Sequence, residues 1–209
     1  MKIGLVSDVH AEPDALQQAL DIFTAQRVDK ILCAGDIAGY HDELDATVQL
    51  LIDHHCECVV GNRDQSWLQQ HLQHEGSTRF DFLASLPLYR RYTFDGKKLY
   101  LVHAEPPDRQ HGGIKLLDEN GKLIDEQVTH WQQRLATLDA DILVVGHTHQ
   151  VYAETLGHVL TINPGSVPFN HSCAVLHLPA MRVEPLALPG RQLLASWHWS
   201  GPLWRKTPR

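Results

Sequence analysis

The chain has 209 residues, 43% apolar and 21% charged, the proportions of an ordinary soluble globular protein and enough to bury a core without staples. The formal net charge is −7 with histidine neutral, which argues against a general binder of nucleic acid or of anionic membranes, since both need a basic face. No apolar run approaches the ~20 residues of a membrane span, and the N-terminus enters a strand with no signal peptide, so a cytoplasmic location is expected.

Residues 2–6 are almost wholly apolar, as in a strand buried on both faces. Pro13 opens a helix with Ala15, Leu16, Ala19, Leu20 and Phe23 on one stripe. Lys30–Ala34 reads as a strand, Glu43–His54 as a helix and Glu57–Val60 as a third strand. This alternation predicts a parallel sheet with right-handed crossovers. Gln65–His74 and Thr78–Leu86 read as short helices ended by Pro87. Leu88–Phe94 and Lys98–His103 read as a hairpin closed by Asp95-Gly96. Prolines and glycines break residues 104–122 into a long loop. A helix is expected over 125–138 and a strand over Asp141–Val145. Val151–Leu156, Val159–Ile162, Cys173–His177 and Arg182–Leu186 read as mostly antiparallel strands. Residues 1–188 thus form one domain, and 189–209, with Trp197, Trp199 and Trp204, form a tail expected to pack on it.

The cysteines are Cys33, Cys56, Cys58 and Cys173. A Cys-x-Cys pair matches neither a zinc ribbon nor a redox motif, so all four are read as free thiols of a reducing compartment.

Five short motifs carry chemistry, each after an apolar β-like run. They are Asp8-Val9-His10, Gly35-Asp36, Gly61-Asn62-Arg63-Asp64, His103 and Gly146-His147-Thr148-His149. Singly, most have ordinary readings: Asp-x-His is a common Asx turn or helix cap, and Gly-Asp a common loop pair. The Gly-His-Thr-His motif is more specific, because two histidines on a loop after a buried strand are poor core fillers. Together the motifs supply imidazole, carboxylate and carboxamide donors, the ligands of divalent transition metals. Strand carboxyl ends are also where open α/β sheets place their sites.

In order and content, the five motifs resemble the pattern D-x-H, G-D, G-N-H-[DE], H, G-H-x-H of the calcineurin-like metallophosphoesterase superfamily over roughly residues 1–178. The stretch GDIAGYHDELDATVQLL and the run Asn163-Pro164-Gly165-Ser166 are similar to its small bacterial and archaeal phosphodiesterase-like branch. The resemblance implies a four-layer α/β sandwich, with two mixed sheets flanked by helices. It implies that Asp8, His10 and His149 bind one metal, that Asn62, His103 and His147 bind a second, and that Asp36 bridges them. Manganese is the first expectation, and iron, zinc or nickel also suit these donors. The implied reaction is phosphate-ester hydrolysis by a hydroxide shared between the ions, with Asn62, Arg63 and His147 at the reacting centre.

Two departures from the pattern bear on substrate. Arg63 stands where many superfamily members carry histidine, though the small phosphodiesterase-like branch often lacks it; a guanidinium is too weak an acid to protonate a leaving group usefully, but it can hold a phosphate oxygen. That favours diesters with good leaving groups, unless Arg63 simply faces solvent. Ala104 stands where relatives often have glycine, and Glu105 after it either narrows the pocket or faces solvent. His41 and His111, like the remaining histidines, read first as surface or core residues, with contact to substrate the alternative, and the tail tryptophans read first as packing residues. The expected partner is a small phosphorylated molecule, with neither nucleic-acid polymer nor membrane, and homo-oligomerisation stays open. The rival readings are a non-catalytic scaffold on the same fold, as in the retromer subunit of this superfamily, a nucleotide or dinucleoside polyphosphate hydrolase, and a phosphomonoesterase.

Overall fold

A computed structural model describes residues 1–197; Trp199, Trp204 and the rest of the expected tail beyond 197 lie outside the described residues. Alternation of side chains along the strands organises everything else. The strands are β1 (Lys2–Val6), β2 (Lys30–Cys33), β3 (Glu57–Cys58), β4 (Tyr89–Phe94), β5 (Lys97–Val102), β6 (Ile142–Val144), β7 (Val151–Leu156), β8 (Val159–Pro164), β9 (Ser172–His177) and β10 (Arg182–Ala187). They form two five-stranded mixed sheets, ordered β10-β9-β1-β2-β3 and β4-β5-β6-β8-β7. In the first sheet β1, β2 and β3 are parallel, and β9 and β10 add antiparallel. In the second, β5, β6 and β8 are parallel, with β4 and β7 antiparallel at the edges.

Because neighbouring residues point to opposite faces, each sheet serves two cores. Ile3, Leu5 and Leu32 of the first sheet meet Leu101, Ile142 and Val144 of the second, filling the space between the sheets. Val6 and Cys33 instead face outward onto Leu16, Leu20, Val48 and Leu51. Those residues belong to α1 (Pro13–Gln26) and α2 (Leu44–Asp53). Tyr100, Val102 and Leu143 face outward onto Trp131 of α5 (Asp125–Arg134) and Leu135 just past it. The expected sandwich, two mixed sheets with helices outside, is the observed one. Helix α4 (Thr78–Ala84) and a 3-10 turn at Leu72–His74 cover the edge beyond α2, and all four cysteines are free.

Several boundaries differ from the sequence reading. Strand β3 keeps only two residues because the chain leaves the sheet: the Val60 N–H donates to the Pro87 carbonyl instead of extending the ladder. Helix α3 runs Asn62–Gln70, three residues earlier than the expected start at Gln65. The cause is a cap: the Asp64 carboxylate accepts from the Gly61 N–H at 2.8 Å, which satisfies a donor at the helix start. A four-residue helix, α6 (Val167–Asn170), was not expected; Ser166 caps it by accepting from the Phe169 N–H. The last strands pair mostly antiparallel, as expected, with β8 also parallel to β6.

Candidate metal centre

All five motifs sit just past the carboxyl ends of β1, β2, β3, β5 and β6, so loops from both sheets meet at one end of the sandwich. Hydrogen bonds between those loops hold them together. The Asp8 N–H donates to the Gly35 carbonyl at 2.9 Å and the His10 N–H to the Asp36 carbonyl at 3.0 Å. The Gly146 N–H donates to the His103 carbonyl at 2.8 Å. Across the sheets, the His147 N–H donates to Asp8 Oδ2 at 3.0 Å. Two residues that sequence reasoning gave no role complete this framework. Ser7 Oγ donates to Asp8 Oδ2 at 2.6 Å, and Ser166 Oγ donates to the Asp8 carbonyl at 2.7 Å. The run at Asn163–Ser166 was the one available signal for the latter.

The framework holds backbone that would otherwise relax. Asp8, His10, Asp36, His147 and His149 have φ of 52°, 54°, 53°, 66° and 49°. A non-glycine residue in this left-handed region costs on the order of 1–2 kcal/mol. Strain repeated at five side chains that face one another marks a built site.

Two sets of donor atoms result. One ligand atom from each of Asp8, His10 and His149 lies within 4.8 Å of the others, and the same holds for Asp36, His103 and His147. In the first set His10 Nε2 is 3.1 Å from His149 Nε2, which is 3.4 Å from Asp8 Oδ1. In the second, Asn62 Oδ1 lies 2.9 Å from His147 Nδ1 and 3.1 Å from His103 Nε2, and Asp36 Oδ1 is 3.3 Å from His103 Nε2. The seven residues singled out as ligands therefore converge. Asp36 stands with the second set, and its Oδ1 also accepts from the Arg63 N–H at 2.8 Å.

The donor chemistry fits divalent cations. The Nδ1 atoms of His10 and His103 face the carbonyls of Ala38 and Ala34 at 3.3 and 2.7 Å, which fixes the proton there and turns an Nε2 lone pair into the site. Burial pushes the His10 imidazole down to about 3, and burial together with His103 pushes His147 down to about 4. Both rings are therefore neutral near pH 7, the state a metal requires. Burial opposes charge on Asp8 as well, but the imidazoles, His149 first, outweigh it and hold this carboxyl below the usual range. Burial and then the Asp8 charge raise Asp36 well above its usual value. Two buried carboxylates and four imidazoles thus enclose a space that a cation would neutralise.

The residues around the centre fall where their surroundings place them. Arg63 is exposed and lies over the Tyr40 ring, 4.5 Å from its centroid, with a hydrogen bond to the Tyr40 hydroxyl. Tyr40 in turn stands edge-on to His10 at 4.7 Å. Phe169 stacks on His149 at 5.4 Å and on Trp197 at 5.2 Å. The His111 ring is 6.4 Å from His147, and the His41 ring is 6.1 Å from Phe169. Ala104 is fully buried. Glu105 corrects the solvent-facing alternative: it is 3% exposed and pairs with Arg109 at 3.0 Å and Arg134 at 3.4 Å, so two guanidiniums hold it. Beside His147 and His149 lies a cavity of about 260 Å³, bordered by Lys115 of the long loop and Trp197 of the tail.

A family profile described as calcineurin-like phosphoesterase superfamily domain matches residues 1–179. The "probable metallophosphoesterase" of Methanothermobacter thermautotrophicus is 29% identical over 167 residues, covering 79% of this chain and 77% of that protein. Phosphodiesterase YfcE of Escherichia coli K12 is 25% identical over 177 residues, covering 80% and 79%. Among solved structures, PH1004 of Pyrococcus horikoshii OT3 superposes with a TM-score of 0.71 at 14% identity, covering 90% of this chain and 87% of that one. With a profile spanning most of its length and a matching fold, the chain belongs to the calcineurin-like phosphoesterase superfamily.

Proposed function

We propose that the chain is a phosphodiesterase that works with two divalent metal ions, manganese first among them. The observation that carries this reading is the pair of donor triads, each with its atoms within 4.8 Å, built from imidazoles and buried carboxylates on strained, cross-tied loops. Asp8, His10 and His149 would hold one ion, Asn62, His103 and His147 the other, and Asp36 would serve both. When bound, such a pair of ions lowers the pKa of a shared water from ~15.7 towards ~7 and neutralises charge on a phosphoryl group.

The chain's own residues set the rest. The loop hydrogen bonds keep the donors in place before substrate arrives, so little reorganisation is needed during reaction. Arg63, steadied over Tyr40 at the rim, can offer its fork of N–H donors to a phosphoryl oxygen. It keeps its proton, so departure of the alcohol depends on the alcohol's own acidity. That is the reason to favour diesters with acidic leaving groups. The name of YfcE, a phosphodiesterase, agrees with this preference. We also take the protein to act in the cytoplasm on a small phosphorylated molecule; no helix among the described residues is long and apolar enough to cross a membrane.

The test is an assay of the manganese-reconstituted protein on bis-p-nitrophenyl phosphate and p-nitrophenyl phosphate. Turnover should depend on metal, favour the diester, and disappear in His147→Ala. Absence of turnover on both esters would support a scaffold role instead. Arg63→His should flatten the dependence of rate on leaving-group pKa across a series of aryl diesters. An unchanged slope would show that Arg63 has no bearing on the leaving group.

A further inference from the structure

The cavity beside His147 and His149 has two walls from distant parts of the sequence. One is the segment around Lys115, in the long loop after β5. The other is Ser196–Trp197, beyond β10. Neither wall is loosely draped, because residues 148–152, starting inside the last motif, tie down both.

Alternate residues of that stretch clamp the Lys115 wall. Thr148 Oγ1 and the Tyr152 hydroxyl donate to the Ile114 carbonyl at 3.3 and 2.8 Å. Gln150 is fully buried; its Oε1 accepts from the N–H groups of Leu116 and Leu117 at 2.8 and 3.0 Å, and its Nε2 donates to the Leu117 carbonyl at 2.7 Å. Ile114, Leu116 and Leu117 are buried while Lys115 between them is exposed. The backbone on both sides of the lysine is thus fixed, and Lys115 itself lines the cavity. The same stretch holds the other wall. The Trp197 N–H donates to the His149 carbonyl at 3.1 Å, and the Val151 N–H donates to the Ala195 carbonyl at 2.8 Å. The Asn170 side chain bridges the carbonyls of His149 and Leu194 at 3.0 and 2.7 Å.

A cavity of about 260 Å³ is just below the ~300–1,000 Å³ of pockets that enclose a whole drug-sized ligand. It suits one arm of a substrate whose reacting phosphate lies at the triads. A lysine on a firmly held wall suits a second anionic group, and an indole on the other suits a planar ring. The cation also matters because the chain as a whole carries −7 and would otherwise repel a multiply charged ligand.

We infer that this cavity is a specificity subsite for a nucleoside diphosphate-type arm, with the second phosphate on Lys115 and the base against Trp197. The inference rests on the phosphodiesterase reading for the position of the reacting phosphate, and its test is independent of turnover. Binding is measured by equilibrium dialysis in saturating manganese. The probes are adenosine 5′-(α,β-methylene)diphosphate, which cannot be cleaved between its phosphorus atoms, methylenediphosphonate and adenosine. Lys115→Ala should weaken the nucleotide analogue and the diphosphonate about fivefold each, the effect of one exposed ion pair, with recovery in Lys115→Arg and no change for adenosine. Trp197→Leu should weaken the nucleotide analogue about tenfold through lost stacking and leave the diphosphonate unchanged, with Trp197→Phe intermediate. No binding of the nucleotide analogue to the unaltered chain, or binding indifferent to Lys115, overturns the subsite. Analogue binding that follows this pattern without turnover of bis-p-nitrophenyl phosphate would uphold the subsite and refute the hydrolase.

Discussion

Gly61→Ala is expected to cost about 3 kcal/mol of stability, at the upper end of over-packing penalties, and to abolish metal-dependent turnover with it. A Cβ at this position would lie 2.2 Å from Asp36 Oδ1 and 2.3 Å from the Asp36 nitrogen. One of those atoms is backbone, so the strain cannot be relieved by turning a side chain. The neighbour that must move carries the carboxylate of the second donor set. The residue also caps α3, whose first turn presents Asn62 and Arg63. The backbone here is extended, with φ of −108°, so the glycine is required by close approach alone. Urea unfolding gives the stability term, and turnover of bis-p-nitrophenyl phosphate gives the functional one. A variant of unchanged stability would show that the β2 and β3 loops can separate, contrary to the tight contact described.

Asp36→Asn is expected to lower turnover by more than about 100-fold, since even residues that only orient metal ligands commonly cost 10–100-fold. The fold should survive. The carboxylate is buried and pushed toward its neutral form by burial and by Asp8, so a neutral amide of the same shape removes electrostatic stress. Metal affinity should fall while thermal stability without metal stays level or rises. That opposite movement separates a ligand from a structural carboxylate, for which both would fall together. Equilibrium dialysis with manganese and a thermal melt of the metal-free variant provide the two readings.

The main-chain plan was largely legible in the sequence because it depends on short-range patterns. The parallel β1, β2 and β3 follow from apolar runs separated by amphipathic helices, and the hairpin of β4 and β5 follows from Asp95-Gly96. The convergence of the seven candidate ligands was legible from the strand-end motifs and their resemblance to the superfamily pattern. Less was visible where a single side-chain contact or a very short segment decides the outcome. The early start of α3 depends on one carboxylate reaching the Gly61 N–H, and α6 is four residues long, too short for periodicity. Glu105 follows the same rule: nothing nearby announces Arg134, twenty-nine residues on, as its partner. The supports of the centre were hidden for a different reason. Ser7 and Gln150 belong to no distinctive motif and Ser166 only to the Asn163–Ser166 run, and the partners of Ser166 and Gln150 lie far along the chain. Lys115 reads as an ordinary loop lysine until Gln150 fixes the segment beside it.

As proposed, the two donor triads form one two-ion hydrolytic centre. The most direct test titrates manganese into the metal-free protein while following turnover of bis-p-nitrophenyl phosphate and counting bound ions. Activity should rise to a plateau as the second equivalent binds, with two ions retained per chain. Saturation of activity at one ion, or two bound ions without turnover, would contradict the proposal.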